Sequence, residues 1–216
     1  RVAISRAYGA EVLFCGDFHV NQALQRAHEL GAQPGYFCPS QFESEGNIEE
    51  NRLVLGPEIL AQLPEGRLPD ALVLGVGTGG TLIGVGQAFR AVNPGVRLFA
   101  MEPSESRTIL CGEIAGHAIE GISVGFVPGI FQRNAGLIDE VMSVSSPQAI
   151  NEMKRLAREH GRLCGPSSGA HLLASKQVRA RYPELATVVT VFCDEGEKYL
   201  TEHFGSRSSS ADVAFY

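Results

Sequence analysis

The sequence lacks the features that would connect it to nucleic acid or to a membrane. Its 216 residues carry 18 Lys and Arg against 24 Asp and Glu, a formal net charge of -6, and no basic cluster. Nucleic-acid-binding proteins usually carry such a cluster, so we expect no nucleic-acid partner. No apolar run reaches the length of a bilayer span and no signal peptide is recognisable, so we expect no membrane segment.

Cysteine and histidine are too few and too irregularly spaced to indicate a metal site or a disulfide framework. The five cysteines form no C-x-x-C pair, and the six histidines form no H-E-x-x-H motif. We therefore expect no metal, and we interpret the cysteines as reduced thiols of a cytoplasmic protein. With 44% hydrophobic and 19% charged residues, the composition is that of a folded chain with a sizeable core.

A glycine-rich stretch in the middle of the chain carries the strongest pattern. The apolar run Ala71–Leu74 predicts a buried parallel strand, and it leads into the sequence GVGTGGT at 75–81 and then into a helical period. Glycines let the backbone approach a ligand, and a helix N-terminus attracts an anion. A tight turn without a ligand is the weaker alternative. The predicted phosphate-binding residues are Gly77, Thr78, Gly79, Gly80 and Thr81.

Strand and helix patterns alternate along the whole chain. This alternation predicts an α/β fold with mostly parallel twisted sheets and helices on both faces. Ligands in such folds bind at the carboxyl ends of the strands. The predicted strands are 11–14, 35–39, 71–74, 96–101, 137–144 and 187–192.

Several further motifs follow one another in the order typical of one enzyme family. They are Gln41-Phe42 before a polar loop with Asn47, Glu102-Pro103, the stretch GISVGFVP at 121–128, GPSSGA at 165–170 and GEKYL at 196–200. With the glycine loop, they resemble the cysteine synthase and cystathionine β-synthase family. These are fold-type II pyridoxal-phosphate enzymes with a tryptophan-synthase-β-like fold. The resemblance runs from Arg1 to about Phe204.

This resemblance implies pyridoxal 5'-phosphate as the cofactor, with its phosphate on the glycine loop. It places Ser167 at the pyridine nitrogen, with Ser168 as the alternative. It also places Gln41 at the substrate carboxylate and Gly121 near the reactive face of the cofactor. These two residues are therefore the predicted substrate-binding residues.

The reaction implied by the resemblance is β-replacement. A neutral hydroxyl at the pyridine nitrogen makes the ring a weaker electron sink than a carboxylate would, which favours loss of a β-leaving group over transamination. The expected substrates are an activated serine, O-acetylserine or O-phosphoserine, and sulfide, with an aminoacrylate intermediate. Several substrate-side residues depart from the family pattern, so a synthase of another β-substituted alanine, a diaminopropionate precursor or cystathionine, is an alternative.

The family's Schiff-base lysine has no counterpart in this sequence. The three lysines, Lys154, Lys176 and Lys198, lie in exposed-looking helices or an acidic turn. Since the chain also begins at Arg1 without Met, we expect it to be the C-terminal part of a longer protein whose missing N-terminal part carries the lysine. No catalytic residue is therefore assigned in this chain.

The resemblance also implies a domain division and an oligomeric state. Residues 1–45 would be the remainder of a smaller N-terminal α/β domain, 46–205 a larger C-terminal α/β domain, and 206–216 a flexible tail. The family is usually dimeric, so we expect a homodimer.

Two interpretations compete with this one. The segment at 75–80 also matches G-x-G-x-x-G after a strand, and Glu102 follows at the end of the next strand, as in an NAD-dependent dehydrogenase. A non-catalytic relative that kept the fold and lost the lysine is the other alternative.

Overall fold

The computed structural model describes residues 2–15 and 20–205, so the predicted tail at 206–216 lies outside the described residues. The chain divides into two compact units, with the boundary between Gln41 and Phe42. The domain division predicted from the sequence at 45/46 stays a prediction.

The described residues of the first unit include the helices α1 at Val2–Ala7 and α2 at Val20–Gly31. Gly9, which follows α1, has a φ of 84°, the left-handed conformation that commonly ends a helix. The strands predicted at 11–14 and 35–39 do not form. Neither stretch pairs with a neighbour among the described residues, and an isolated strand of this length is not stable in water.

The second unit is built around a four-stranded parallel sheet. Its strands are β1 (Ala71–Gly75), β2 (Arg97–Pro103), β3 (Glu140–Val144) and β4 (Val188–Val189), and their spatial order is β3-β2-β1-β4. β1 therefore lies in the interior of the sheet, between β2 and β4. This architecture confirms the predicted parallel α/β fold, although β4 is shorter than the predicted strand at 187–192 because only its first residues pair with β1.

Helices of the second unit cover both faces of the sheet. In chain order they are α3 (Glu45–Glu50), a π-helical turn (Asn51–Leu55), α4 (Gly56–Gln62), α5 (Gly80–Val92), α6 (Thr108–Cys111), α7 (Gly129–Asn134), a 3-10 turn (Ala135–Leu137), α8 (Ser146–His160), α9 (Pro166–Arg181), a 3-10 turn (Glu197–Tyr199) and a π-helical turn (Leu200–Phe204). No helix within 2–15 and 20–205 combines the length and the apolar character needed to cross a membrane.

Alternate residues of β1 enter two different cores, as the period of a strand requires. Ala71 and Val73 pack with side chains of α8 and α9 on one face. Leu72 and Leu74 pack with side chains of α5 on the other face. All four are fully or almost fully buried, so β1 is fixed from both sides and its carboxyl end is held in place.

The polar loop predicted around Asn47 needs correction. That stretch contains α3, which continues through a π-helical turn into α4. Ser145 caps α8 by accepting a hydrogen bond from the Gln148 amide, because it is the residue with extended backbone. α9 begins at Pro166, since proline is favoured in the first turn of a helix.

Candidate active site

The glycine loop follows β1 and forms the N-terminal end of α5. Gly79 has a φ of 88° and is the residue that precedes the helix, a conformation that glycine adopts without strain. Within the described residues, the backbone N–H groups of Gly77, Thr78 and Gly79 donate no hydrogen bond. Free amides before a helix N-terminus form a site for an anion of phosphate size.

The side chain of Thr78 is held in one orientation inside this loop. Its hydroxyl oxygen accepts from the Gly80 amide at 3.1 Å and from the Asn47 side-chain amide, also at 3.1 Å. A Cβ at Gly80 would overlap the Asn47 side chain, so α3 and the loop are in close contact. Asn51 in turn donates to the Asn47 backbone carbonyl at 2.7 Å, which fixes the end of α3.

The stretch that contains Gly121 packs directly on the glycine loop. A Cβ at Gly77 would overlap the carbonyl oxygen of Gly121, and the Ser123 amide donates to the Val76 carbonyl at 2.9 Å. Gly121 has a φ of 89°, so it too adopts a conformation that favours glycine. The structure therefore brings together two regions that the sequence separates by more than forty residues.

Ser167 and Ser168 both lie buried in the first turn of α9, after Gly165, and they make different contacts. The Ser168 hydroxyl accepts from the Cys193 amide at 3.1 Å. Burial raises the pKa of the Cys193 thiol, and the Ser167 side chain opposes the rise. Ser168 therefore has a structural role in joining α9 to the chain after β4.

A buried imidazole connects this helix with the glycine loop. His171 Nε2 accepts from the Gly75 amide at 2.7 Å, and His171 Nδ1 lies 2.8 Å from the Val191 carbonyl oxygen. Burial lowers the pKa of His171, so the ring is neutral.

Glu102 has a structural role. Its carboxylate is fully buried and accepts from the amides of Ile109 at 2.7 Å and Leu110 at 3.1 Å, at the start of α6. Burial raises the pKa of this carboxyl, and the two backbone bonds act against the rise. Both oxygens are engaged with the protein, so Glu102 is not offered to a ribose as a dehydrogenase would require.

The remaining predicted residues are placed as follows. Gln41 is the last residue of the first unit and is exposed, and its role at a substrate carboxylate stays a prediction.

Lys176 forms an ion pair with Glu152 at 2.6 Å, and Lys198 forms one with Asp194 at 3.1 Å. Neither ammonium is therefore presented as a free nucleophile. Among the described residues, no group of three or more His, Cys, Asp or Glu is arranged to hold a metal ion.

Sequence reasoning missed two residues of this site. The sequence places Asn47 only in a polar loop, and nothing in its local pattern points to the Thr78 hydroxyl that it contacts. His171 gave no signal, because a single histidine on the apolar side of a helix is typical of a core position. Its two hydrogen bonds link segments that are distant in sequence, and only the fold reveals them.

The residues present fit a phosphate-bearing cofactor. The cradle at Gly77–Gly79 is lined by free amides, and the Gly121 carbonyl occupies the place where a side chain at Gly77 would lie. Backbone donors and the Thr78 hydroxyl are thus available to an anion at this loop.

Comparison with known proteins agrees with this geometry. The family model described as "Pyridoxal-phosphate dependent enzyme" matches residues 1–194. A cysteine synthase of Staphylococcus aureus (strain N315) is 41% identical over 197 residues, which are 91% of this chain and 63% of that protein. A probable cysteine synthase of Bacillus subtilis is 35% identical over 204 residues, 93% of this chain and 65% of the relative. The chain thus spans less than two thirds of the length of these relatives.

Solved structures show the same relationship. A crystal structure of O-ureido-L-serine synthase matches with a TM-score of 0.86 at 36% identity. The match covers 98% of this chain and 67% of the synthase chain. An O-acetylserine dependent cystathionine β-synthase from Helicobacter pylori has a TM-score of 0.77 at 33% identity, over 85% of this chain and 58% of its own. The competing interpretation of an NAD-dependent dehydrogenase is therefore wrong. The chain belongs to the family of pyridoxal-phosphate dependent enzymes, which confirms the predicted family, fold type and cofactor.

Proposed function

We propose that the protein catalyses pyridoxal-phosphate-dependent β-replacement on an activated serine, O-acetylserine or O-phosphoserine, with sulfide as the nucleophile. One observation carries this proposal: three free amides, at Gly77, Thr78 and Gly79, stand before the N-terminus of α5 beside an oriented Thr78 hydroxyl. The similarity to cysteine synthases supports the same reaction class.

The chain's contribution at the phosphate end is to bind and orient. Gly77 to Thr81 supply backbone donors, the α5 dipole favours negative charge, and Thr78 supplies a hydroxyl proton. When bound, pyridoxal phosphate supplies the electron sink for removal of the substrate α-proton and loss of the β-substituent. The packing of Gly121 on Gly77 closes the loop on one side and restricts water there.

At the other end of the cofactor, Ser167 is the residue that we propose for the pyridine nitrogen. Its hydroxyl is neutral and buried, and no described carboxylate forms a hydrogen bond with it. A hydroxyl does not stabilise a positive charge on the ring nitrogen as a carboxylate does, and this suits β-replacement better than transamination. Ser168 is the alternative that the resemblance implies, since a hydroxyl that accepts from the Cys193 amide still has its proton to donate.

On the substrate side, we propose that Gln41 binds the substrate carboxylate and that Gly121 lies near the reactive face of the cofactor. Both residues occur in sequence motifs that this chain shares with the family, and Gly121 lies against the glycine loop. We further propose that none of Lys154, Lys176 and Lys198 is the Schiff-base lysine, since Lys176 and Lys198 are paired with carboxylates.

The nucleophile and the oligomeric state belong to the same proposal. Relatives of known structure include an O-ureido-L-serine synthase and a cystathionine β-synthase, so another β-substituted alanine is the alternative product. We propose a cytoplasmic homodimer, which light scattering on the purified full-length protein would test.

Mass spectrometry tests the central claim directly. The full-length protein is incubated with pyridoxal phosphate, reduced with borohydride, weighed intact and then digested. We expect one covalent adduct per chain on a lysine other than Lys154, Lys176 and Lys198. Absence of an adduct would contradict the enzyme and favour a non-catalytic relative.

A product assay then separates the candidate reactions. O-acetylserine and O-phosphoserine are each supplied with sulfide or with homocysteine, and the amino-acid products are separated. Cysteine is the expected product, whereas cystathionine alone would replace the cysteine synthase assignment with the alternative.

A further inference from the structure

The imidazole of His171 joins the two regions that are proposed to hold opposite ends of the cofactor. His171 is only 2% exposed and lies one helical turn after Ser167 on α9. Its Nε2 accepts from the amide of Gly75, two residues before the glycine loop, at 2.7 Å. Its Nδ1 lies 2.8 Å from the carbonyl oxygen of Val191, in the segment after β4.

These two bonds allow only one protonation state. Nε2 must present a lone pair to the Gly75 N–H, so Nδ1 carries the proton and donates it to the Val191 carbonyl. Among the described residues, the one titratable side chain that contacts the ring is Cys193, whose sulfur is 3.6 Å from Nδ1. Since both ring nitrogens are engaged with backbone groups, the imidazole is held neutral and is not available as an acid or base.

The ring is also packed tightly against β1. A Cβ built on Gly75 would lie 2.9 Å from His171 Nε2, 2.8 Å from the Ile122 side chain and 3.2 Å from that of Met101. Glycine at position 75 therefore lets the imidazole approach the strand directly. No space for a bridging water lies between the ring and the Gly75 amide, given their 2.7 Å separation.

We propose that His171 is a positioning residue for pyridoxal phosphate, an inference that rests on the proposed function. The bond to Gly75 fixes the strand end that leads into the phosphate loop. The bond to Val191 fixes the segment that carries Cys193, whose amide donates to the hydroxyl of Ser168, the neighbour of Ser167. One rigid, neutral ring thus sets the spacing between the phosphate donors and the Ser167 hydroxyl.

Variants of His171 in the full-length protein can separate the two bonds. His171→Leu removes both. His171→Gln keeps an amide oxygen near the position of Nε2, and His171→Asn keeps an amide N–H near the position of Nδ1. Ser175→Ala is the matched control, because Ser175 is buried one turn later on α9 and its hydroxyl donates only to the His171 carbonyl, at 2.8 Å. The measurements are the dissociation constant for pyridoxal phosphate, the phosphorus-31 NMR shift of the bound phosphate and the apoprotein melting temperature.

We expect His171→Leu and His171→Asn to weaken cofactor binding by about tenfold or more, which is the change expected when a buried hydrogen bond that orders the loop is lost. Both variants should also shift the phosphate resonance. His171→Gln should stay within about threefold of the wild type, since its bond to the loop strand survives. Ser175→Ala should lower the melting temperature without changing the affinity or the resonance.

Three results would overturn the proposal. The first is His171→Leu with the affinity and phosphate resonance of the wild type. The second is a fall in cofactor affinity that parallels the fall in melting temperature in all four variants, which would make His171 structural only. The third applies if the leucine variant does not fold: the glutamine and asparagine variants would then bind the cofactor with equal affinity. Wild-type protein that fails to bind pyridoxal phosphate would instead overturn the proposed function, and the positioning role with it.

Discussion

The side-chain amide of Asn47 donates a hydrogen bond to the hydroxyl oxygen of Thr78 across 3.1 Å. The same oxygen accepts from the Gly80 amide. Both acceptor positions of the hydroxyl are therefore used by the protein, and its proton is the part that remains for an anion in the loop. A residue on α3 thus determines which way a donor on the phosphate loop points.

Replacing Asn47 by alanine should weaken binding of pyridoxal phosphate. The Thr78 hydroxyl would be free to rotate, and we expect the affinity to fall about threefold to tenfold, the value of one hydrogen bond. Titration of the apoprotein with pyridoxal phosphate, followed by the fluorescence of the cofactor, measures this change in affinity. Asn93→Ala is the control: Asn93 lies at the opposite end of α5, where its side chain donates to the Pro69 carbonyl at 2.9 Å. An equal loss of affinity in the control would show that Asn47 acts only through helix stability.

Gly77→Ala should destabilise the protein as well as impair the site. The new Cβ would overlap the backbone carbonyl of Gly121, which cannot move as a flexible side chain can. We expect a loss of about 1–3 kcal/mol in the free energy of unfolding, as for other overpacked sites. Urea denaturation measures it, with Gly116→Ala as the control because a Cβ at exposed Gly116 meets nothing within 4 Å. Unchanged stability in the Gly77 variant would contradict the close packing of the two loops.

The sequence predicted those parts of the fold that depend on local patterns. The strand at Ala71–Gly75 is buried on both faces and reads as a continuous apolar run, and the glycines that follow it are typical of an anion-binding turn before a helix. The strands predicted at 11–14 and 35–39 failed for the opposite reason. Their residues suit a strand, but strand formation depends on a neighbour, and neighbours are not encoded locally.

The site shows the same division between local and long-range information. The phosphate loop is contiguous, so its residues could be predicted together. His171 and Asn47 act through partners that lie 96 and 31 residues away in the sequence, Gly75 and Thr78. The carboxylate of Glu102 was open to two interpretations until its bonds to the start of α6 were known.

Acid should destabilise the protein in part through Glu152. This carboxylate is buried on α8 and bonds to Arg155 at 2.8 Å and to Lys176 at 2.6 Å. The hydrogen bond from Arg155 is the main cause that lowers the pKa of Glu152 from 4.5 to about 2. A lowered carboxyl pKa means that the stabilisation is complete above pH 4.5 and is lost as the pH falls toward 2.

Glu152→Gln should therefore lower the free energy of unfolding at pH 7 by about 1–2 kcal/mol, a value reduced from the full shift because both cations are partly exposed. The difference from the wild type should disappear near pH 2. Denaturation series between pH 2 and pH 7 measure it, with exposed Glu58→Gln on α4 as the control. A difference that does not depend on pH would refute an ionic role for Glu152.

Ser167 and Ser168 are adjacent, and their variants should differ in kind. Ser167→Ala removes the hydroxyl that is proposed for the pyridine nitrogen but leaves the bond between Ser168 and the Cys193 amide intact. We expect the variant to bind the cofactor with a changed absorption spectrum and to melt close to the wild type. Ser168→Ala removes the acceptor of the Cys193 amide from a fully buried position, so it should cost about 1–3 kcal/mol of stability.

The two serine variants are compared by absorption spectra of the loaded protein and by thermal unfolding of the apoprotein. Ser167→Cys adds a second test, because a thiol is a weaker hydrogen-bond donor of similar size and should give a spectrum between those of the wild type and the alanine variant. The opposite pattern, with the spectrum changed by Ser168→Ala and not by Ser167→Ala, would move the pyridine contact to Ser168. Ser168 could make that contact without releasing Cys193, since a hydroxyl that accepts from the Cys193 amide keeps its own proton to donate to the ring nitrogen.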